Sequence, residues 1–433
     1  MRRILLPVLA VNVLASPLAS GAVNDEDIEQ LRQQLAAVSQ RLEELAAENA
    51  DLRRSQAQTA TAVAKVQTSV TQAGESVAGI GAESWSDRVR LDGDFRYRYS
   101  YIDAQGSASR SRNRIRARTN IKADLVDDVV IGFGLASGGS DPVSTNQTLG
   151  GGGSSKNTVL NLAYVDWAAA EGLHLIGGKF KNPLIRVGGQ PLMWDADWTP
   201  EGLAMTYKRD WLALNALGTF LESDTIKAND NFSWGLQIAA AGRIGEAKVR
   251  GGVAYYSIET KGDSTTFGDA ANVGDYFGNS AVEAGGLPCG STPDASCAYL
   301  YDYLLTEVFG EASFDVGDWA TTVFFDYVKN SDAAENDTGW TVGTRIAAPY
   351  DKHPVSFTYY YANKEADATL GLLTDSDYGD GGTDSKGHWL QLNYGINKSW
   401  TIGAQYFINE TDLSSGSRSD YDRLMIDAQW SWK

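Results

Sequence analysis

The sequence predicts an all-β transmembrane β-barrel of 16 antiparallel strands, preceded by an N-terminal α-helical coiled coil. Three observations predict it: an export-type leader, a heptad repeat behind that leader, and alternating polar and apolar positions through residues 86–433. The alternation is clearest in Val89–Tyr101, "VRLDGDFRYRYSY". A period of two is that of a strand, so one face is apolar and aromatic while the other is charged. A soluble sheet with one face packed on a core shows the same pattern, so the leader and the heptad repeat are needed to distinguish a membrane barrel from a soluble sheet.

The first residues have the form of a secretory signal peptide. Met1-Arg2-Arg3 is followed by the apolar run Ile4 to Leu14 and then by small residues up to Ala22. Residues 1–22 are therefore interpreted as a signal peptide with cleavage after Ala22. No later run of about 18 apolar residues offers a membrane-spanning helix. An exported chain of this kind can span a membrane only as a closed barrel.

The chain is acidic, with 37 Lys and Arg against 55 Asp and Glu and a net charge of −18. This balance argues against nucleic acid as a partner.

Residues 23–74 follow a heptad rule. Apolar positions alternate in steps of three and four for about seven repeats, which predicts a coiled coil. A lone amphipathic helix packed on its own domain is the alternative, but the two-in-seven seam is narrow for that. Asn49 falls on the seam, where a buried amide sets register and strand number, and two, three or four chains remain compatible. Residues 75–85 are rich in Gly, Ala and Ser and read as a linker.

Sixteen strands are predicted in the remainder of the chain: 87–102, 112–126, 129–138, 157–168, 172–181, 201–208, 211–222, 232–241, 247–259, 301–315, 318–329, 338–347, 353–363, 386–395, 399–409 and 421–432. Connections after the even strands are short, whereas those after the odd strands are mostly long. Outer-membrane barrels have tight periplasmic turns and long external loops, so the even count places both ends of the barrel, and the coiled coil, in the periplasm. A barrel of this size is too wide for side chains to fill and encloses an aqueous channel.

Several segments resemble the outer-membrane porins of Gram-negative bacteria, in particular a "putative porin" group with a coiled coil before the barrel. They are "RLDGDFRYRY" (90–99), "RNRIRARTNIKADLVDD" (112–128), "AYVDW" (163–167), "GGKFKNP" (177–183) and "WDADWTPEG" (194–202). The segment 177–183 is also similar to one in phosphate-selective porins. The resemblance implies a homotrimer in outer-membrane lipid and lipopolysaccharide that passes small hydrophilic solutes passively. The chain departs from the pattern at its end, since Lys433 follows the expected terminal aromatic residue Trp432.

Basic residues of the first two strands are predicted to form a wall inside the lumen, because consecutive strands lie side by side. The wall comprises Arg88, Arg90, Arg96, Arg98, Arg112, Arg114, Arg116, Arg118 and Lys122. Such a ladder attracts anions. Alternatively, the upper arginines pair with Asp92, Asp94 and Asp124 or bind lipid phosphates near the rim.

The connection 182–200 is predicted to fold into the channel as a constriction loop. It offers Arg186, Asp195 and Asp197, with Glu201 at its end. A basic wall facing an acidic loop produces a transverse field, which orients polar solutes without fixing the sign of ion preference. Most other acidic residues, such as Asp375 and Asp377, are assigned to solvated external loops.

The remaining motifs say less about function. Cys289 and Cys297 lie in the longest loop of an exported chain, which favours a disulfide. No motif indicates a metal, a cofactor or enzyme chemistry, and the three histidines lie in or beside separate strands. Two functions remain: a passive porin, and a structural tether whose coiled coil grips peptidoglycan or an inner partner. Both are compatible with one molecule.

Overall fold

The fold is described from a computed structural model. It describes residue 53 and residues 85–433, except 191, 223–230, 264–274, 284–288, 290–296 and 349–352. The predicted signal peptide, the coiled coil apart from residue 53, and the linker up to residue 84 lie outside the described residues. A short 3-10 turn, Trp85–Arg88, leads into the first strand. Of the residues described, none belongs to a helix long and apolar enough to cross a membrane.

Within the described residues, sixteen strands form the wall of the barrel. They are β1 (Val89–Ala104), β2 (Arg110–Val126), β3 (Val129–Ser137), β4 (Thr158–Ala170), β5 (Leu173–Lys179), β6 (Glu201–Lys208), β7 (Leu212–Glu222), β8 (Asn231–Ile244), β9 (Ala247–Ile258), β10 (Tyr303–Val316), β11 (Trp319–Asn330), β12 (Thr338–Ala347), β13 (Val355–Lys364), β14 (Ser385–Gly395), β15 (Trp400–Thr411) and β16 (Ser419–Trp432). The two-residue strand Gln147–Thr148 also pairs with β2, inside an external loop. Each of the sixteen overlaps one predicted strand.

The sheet is antiparallel and closed. Every strand pairs with the next in the chain, and β1 pairs with β16 through neighbours such as Phe95 and Trp430. Closure leaves no free sheet edge, so every strand finds a hydrogen-bonding neighbour on both sides, as a lipid environment requires. The predicted 16-stranded antiparallel barrel is therefore confirmed.

The two faces of the wall separate as the period of two predicts. In β1, Leu91, Phe95 and Tyr97 are exposed on the outside, whereas Arg96 and Arg98 are buried inside. Large apolar side chains are exposed on many other strands, with Leu203 of β6 at 70%. Such a surface is favourable only against lipid tails.

Short turns close one end of the barrel and longer loops the other. Several loops at the second end turn inward and fill part of the lumen. Residues 180–200, between β5 and β6, contain the 3-10 turn Val187–Gly189, and Val187 is fully buried. Gly188 has a φ of +61°, and a Cβ there would lie 2.4 Å from the Phe324 ring, so the turn needs glycine to pack on the wall.

A second inward loop, residues 365–384, lies between β13 and β14. Leu370, Leu372 and Leu373 are buried, and the loop contains the 3-10 turns Gly371–Leu373 and Tyr378–Asp380. The assignment of Asp375 and Asp377 to a solvated external loop was therefore wrong. The apolar segment before them draws the loop into the barrel.

Candidate solute channel

The basic wall is formed where β1, β2 and β16 lie side by side. Arg96 faces Arg116 across the β1–β2 ladder, and Arg98 faces Arg114. On the other side of β1, Arg98 is paired with Asp427 of β16. Because side chains of directly paired residues share a face, the arginines of both strands project into the lumen.

The constriction loop, residues 180–200, is anchored to the wall opposite the arginines. Gln190 donates a hydrogen bond from Nε2 to Asp326 Oδ2 at 2.6 Å. The Gly188 amide donates to Glu311 at 3.0 Å, and the Ile185 amide donates to Gln237 at 2.8 Å. These contacts reach β8, β10 and β11, so the loop spans the lumen from its attachment at β5 and β6.

The tip of the constriction loop is joined to the basic wall through Asp197. Its carboxylate accepts a bond of 2.8 Å from Arg118 Nη1 and lies 3.3 Å from Arg116 Nη1. Asp94 binds the same two guanidiniums at 3.0 Å and 2.7 Å. Burial opposes ionisation of Asp197, but Arg116 and Arg118 outweigh it and hold its pKa below the ordinary value. Two carboxylates and two guanidiniums therefore form a closed ring of charge.

Asp195 has a different environment, although it lies only two residues away. Its Oδ1 accepts the Asp197 amide at 2.7 Å, and its Oδ2 accepts the Ser376 amide at 3.3 Å. Burial and the neighbouring Asp375 raise the pKa of Asp195 well above its ordinary value. No cation lies within 4.0 Å of its carboxylate in the part of the chain that the structure describes. The Asp195 side chain thus links the two inward loops and is only weakly held in its charged form.

The loop 365–384 repeats this arrangement at the other end of the arginine wall. The Asp377 amide donates to Asp375 Oδ1 at 2.8 Å, as Asp197 does to Asp195. The Asp377 carboxylate lies 2.8 Å from Arg98 Nη1 and 2.7 Å from Arg423 Nη2. Burial would raise the pKa of Asp377, but Arg423 and Arg98 outweigh burial and lower it. Each inward loop therefore places one ionised aspartate between two wall arginines.

Sequence reasoning missed Asp377 and Arg423 as site residues. Arg423 lies on the inner face of β16, two positions before Met425 and four before Asp427. Applying the alternation of period two to the predicted strand 421–432 would have found it. Asp377 had no such signal, because its position depends on a loop folding back.

The long external loop between β9 and β10 holds the second inward loop in place. Asn279 Nδ2 donates to the carbonyl oxygens of Ala366 and Thr369 at 2.7 Å and 2.8 Å, and its Oδ1 accepts the Gly371 amide at 2.8 Å. In the same loop the structure joins Cys289 and Cys297 in a disulfide with a Cα–Cα distance of 6.1 Å. The disulfide constrains the external loop that holds the second inward loop.

Apart from Arg88, the predicted basic residues fall into three groups. Arg98, Arg116 and Arg118 bind carboxylates, as described above. At the short-turn end, Arg90 binds Asp124 at 2.7 Å and Lys122 lies 3.3 Å from Asp92, so the alternative of local pairing holds there. Arg88 ends the first 3-10 turn. Arg96, Arg112 and Arg114 have no carboxylate within 4.0 Å among the residues described, and the Nε atom of each is buried without a hydrogen-bond partner.

The predicted constriction residues are only partly brought together. Arg186, Asp195 and Asp197 line one cavity. Arg186 donates to the Trp194 carbonyl oxygen at 3.2 Å, and burial lowers its pKa although Asp195 opposes this. Glu201 is a correction: it begins β6, is exposed, and lies 2.7 Å from Lys179. It is absent from the lining of that cavity.

Three cavities follow the arginine wall through the described part of the lumen. The first, called here the eyelet cavity, lies between the wall and the two loops and has a volume of about 350 Å³. An outer cavity of about 290 Å³ is lined by Arg112, Arg114 and Arg423, and it shares Ser376 with the eyelet cavity. A larger one of about 940 Å³ lies towards the short turns, beside Arg90, Lys122 and the chain end.

A closed barrel with an apolar outer band, a charged interior and inward loops defines the class of channel-forming outer-membrane β-barrels. The chain belongs to a family in that class: residues 103–276 and 303–429, more than half of its length, match the family described as "Putative porin". The resemblance drawn from the sequence is thereby confirmed for the porin family and the outer membrane. The coiled coil of the resembling group stays a prediction.

Several solved structures of outer-membrane proteins are similar to this chain at low sequence identity, and one has a TM-score above 0.5. OprB of Pseudomonas putida, in a high-pH structure, is 11% identical with a TM-score of 0.53, and the match covers 80% of this chain and 95% of OprB. OmpF of Salmonella typhi, in complex with daunomycin, is 13% identical with a TM-score of 0.47, covering 81% of this chain and 100% of OmpF. A loop-deletion mutant of OmpT from Vibrio cholerae is 14% identical with a TM-score of 0.46, covering 80% and 100%. No curated protein matches the chain in sequence.

Proposed function

We propose that the protein is a passive diffusion channel for small hydrophilic solutes with a preference for anions. The single observation that carries the preference is the trio Arg96, Arg112 and Arg114, inward on the wall and without a carboxylate partner among the described residues. Arg98, Arg116, Arg118 and Arg423 are each paired with an aspartate.

Pairing decides which charges act on a passing ion. Arg98, Arg116 and Arg118 lie within 3.3 Å of aspartate oxygens, so the fields of the partners largely cancel at the distance of a solute. The unpaired arginines lack this cancellation. Their field is strengthened where protein rather than water surrounds the path.

The acidic residues without cation partners offset the trio only in part. Burial raises the pKa of both Asp195 and Asp375; the charges of Asp375 and Asp197 add to the effect at Asp195, and that of Asp377 adds to it at Asp375. A raised pKa means that the charged form is disfavoured. The expected charge balance along the arginine wall is therefore positive.

The remaining expectations for assembly stay predictions. Family membership is consistent with a homotrimer in lipid and lipopolysaccharide, and with the absence of enzyme activity. A tether function through the coiled coil, with peptidoglycan as partner, depends on residues outside those described.

Conductance and reversal potential in planar lipid bilayers test the proposal. In a potassium chloride gradient, we expect open steps and a chloride preference in the wild-type protein. The double variant Arg112→Gln and Arg114→Gln removes two unpaired charges and is expected to reduce that preference. A cation-selective wild-type channel, or a double variant with the wild-type permeability ratio, would contradict the proposal.

A further inference from the structure

The aspartates of the chain itself indicate which chemical group the arginine wall binds. Two aspartates from two different loops, Asp197 and Asp377, each bind between a pair of wall guanidiniums. Asp427 of β16 binds a single guanidinium, accepting from Arg98 Nε at 2.7 Å and from Arg98 Nη2 at 2.8 Å. This last geometry is the paired, parallel hydrogen bonding that suits a guanidinium and a carboxylate. The arginine wall thus offers a row of places at which carboxylates bind.

One position in that row is not filled by the described part of the chain. Arg96 lies on β1 between Arg98 and the residue Asp94, and directly opposite Arg116. It is only 8% exposed and lines the eyelet cavity. Its Nη2 donates to Asn146 Oδ1 at 2.7 Å, but its Nε has no partner among the described atoms. A guanidinium has five N–H donors, and a buried charge without a counter-charge is costly.

The cavity in front of Arg96 has the size and polarity of a small-molecule site. Its volume of about 350 Å³ falls within the range of ligand pockets, about 300–1,000 Å³. Arg186 of the constriction loop lines it, and Gln391, Asn393 and Gln405 from β14 and β15 supply amide groups. A molecule with a carboxylate at one end and a hydroxyl or amide at the other matches these groups.

We propose that the eyelet cavity contains a binding subsite for small organic carboxylates, centred on Arg96, which deepens and rests on the proposed anion channel. The solute's carboxylate takes the place beside Arg96 that Asp197 and Asp377 take beside the neighbouring arginines. Its polar end contacts the amide side chains. Phosphate also pairs with guanidinium groups, but it lacks a second polar end that could reach the amide side chains.

Block of the chloride current by sodium lactate tests the subsite, with the full-length protein in planar bilayers. Lactamide, which has the same shape without the charge, and inorganic phosphate are the comparison solutes. We expect lactate to reduce the current at a lower concentration than either. Arg96→Gln is expected to raise the half-blocking concentration of lactate about tenfold or more, which is the loss of a charge-assisted hydrogen bond.

Two further variants separate a binding site from a general charge effect. Arg112→Gln removes the same charge from the same wall, but its side chain lines the outer cavity, so a change of less than about threefold is expected. Arg96→Lys keeps the charge but loses the planar pair of guanidinium donors, so a half-blocking concentration between those of the wild type and Arg96→Gln is expected. Equal changes in Arg96→Gln and Arg112→Gln, an unaltered block in Arg96→Lys, or stronger block by phosphate would overturn the subsite. An open anion-selective channel without lactate block contradicts only the subsite, whereas a channel that never opens contradicts the proposed function as well.

Discussion

The substitution Asp197→Asn tests how the constriction loop is held. Asp197 lies 2.8 Å from Arg118 and 3.3 Å from Arg116, and its carboxylate is largely buried. Removing one partner of a buried ion pair costs about 3–5 kcal/mol when the other charge is left alone. Here both arginines keep Asp94 at 2.7 Å and 3.0 Å, so the loss is smaller. A hydrogen bond to a charged group contributes about 1.5–3 kcal/mol.

We therefore expect the docked loop to lose about 2 kcal/mol, which raises the population of the undocked loop about 30-fold. Hydrogen exchange of the purified protein measures this directly. The Asp195 amide is a suitable reporter, because it donates to the Leu373 carbonyl oxygen at 2.8 Å and links the two inward loops. Local opening sets the exchange rate of such an amide, while the strands stay protected.

Asp195→Asn is the matched control, since it makes the same chemical change two residues away. Its side chain has no ion pair within the described residues, an amide oxygen still accepts the Asp197 amide at 2.7 Å, and the only hydrogen bond lost is the long one of 3.3 Å from the Ser376 amide. We expect a change in exchange of less than about threefold. If Asp197→Asn left loop exchange at the wild-type rate, or if the control had an equal effect, the ring of charge would not be what holds the loop.

Three further predictions concern the second loop, acidity and the outer face. Asp377→Asn removes the only described carboxylate within 4.0 Å of Arg423, so the docked position of the loop 365–384 should lose about 3 kcal/mol of stability. The open-channel current should then become noisier in single-channel records, and unchanged noise would refute this. Because the pKa values of Asp195 and Asp375 are raised, these groups lose their charge at a higher pH than ordinary aspartates do, so the chloride-to-potassium permeability ratio should rise on acidification; a ratio that stays constant or falls would refute this. Leu203→Arg places a charge on the lipid face, which costs about 2–4 kcal/mol near the bilayer midplane, so this variant should fold less readily into bilayers. Gln391→Arg places the same charge inside the lumen and should fold normally. Equal refolding yields of the two variants would contradict the orientation of the wall.

The strands were predictable because their signal is local. In β1 the alternation of Phe95, Tyr97 and their charged neighbours reports directly on which face meets lipid. The even strand count and the sorting of short and long connections then predicted that both barrel ends lie on the side of the short turns. Strand ends were less well placed, as in β5, which ends at Lys179 rather than at residue 181. The constriction begins there, where the chain leaves the sheet, and periodicity carries no information about that point.

The pairing of charges could not be derived from the sequence. The alternation places Arg96, Arg116 and Arg118 on the inner face, but it does not say which of them a loop aspartate reaches. Asp197 and Asp377 find their partners 79 and 279 positions away along the chain. The acidic segment around Asp377 resembled a solvated loop, and only the buried leucines before it indicated otherwise. Contacts of this kind depend on the closed barrel that brings the loops and the wall together.

The most direct test of the central claim is whether ions pass between the arginine wall and the two inward loops. The chain's two cysteines are joined to each other, so a single introduced thiol reports on one position. Ser376→Cys places it where the eyelet cavity meets the outer cavity. We predict that a negatively charged methanethiosulfonate reagent reduces the conductance of this variant, and that Leu203→Cys on the outer face does not respond. A labelled Ser376→Cys channel with undiminished conductance would show that ions take another path.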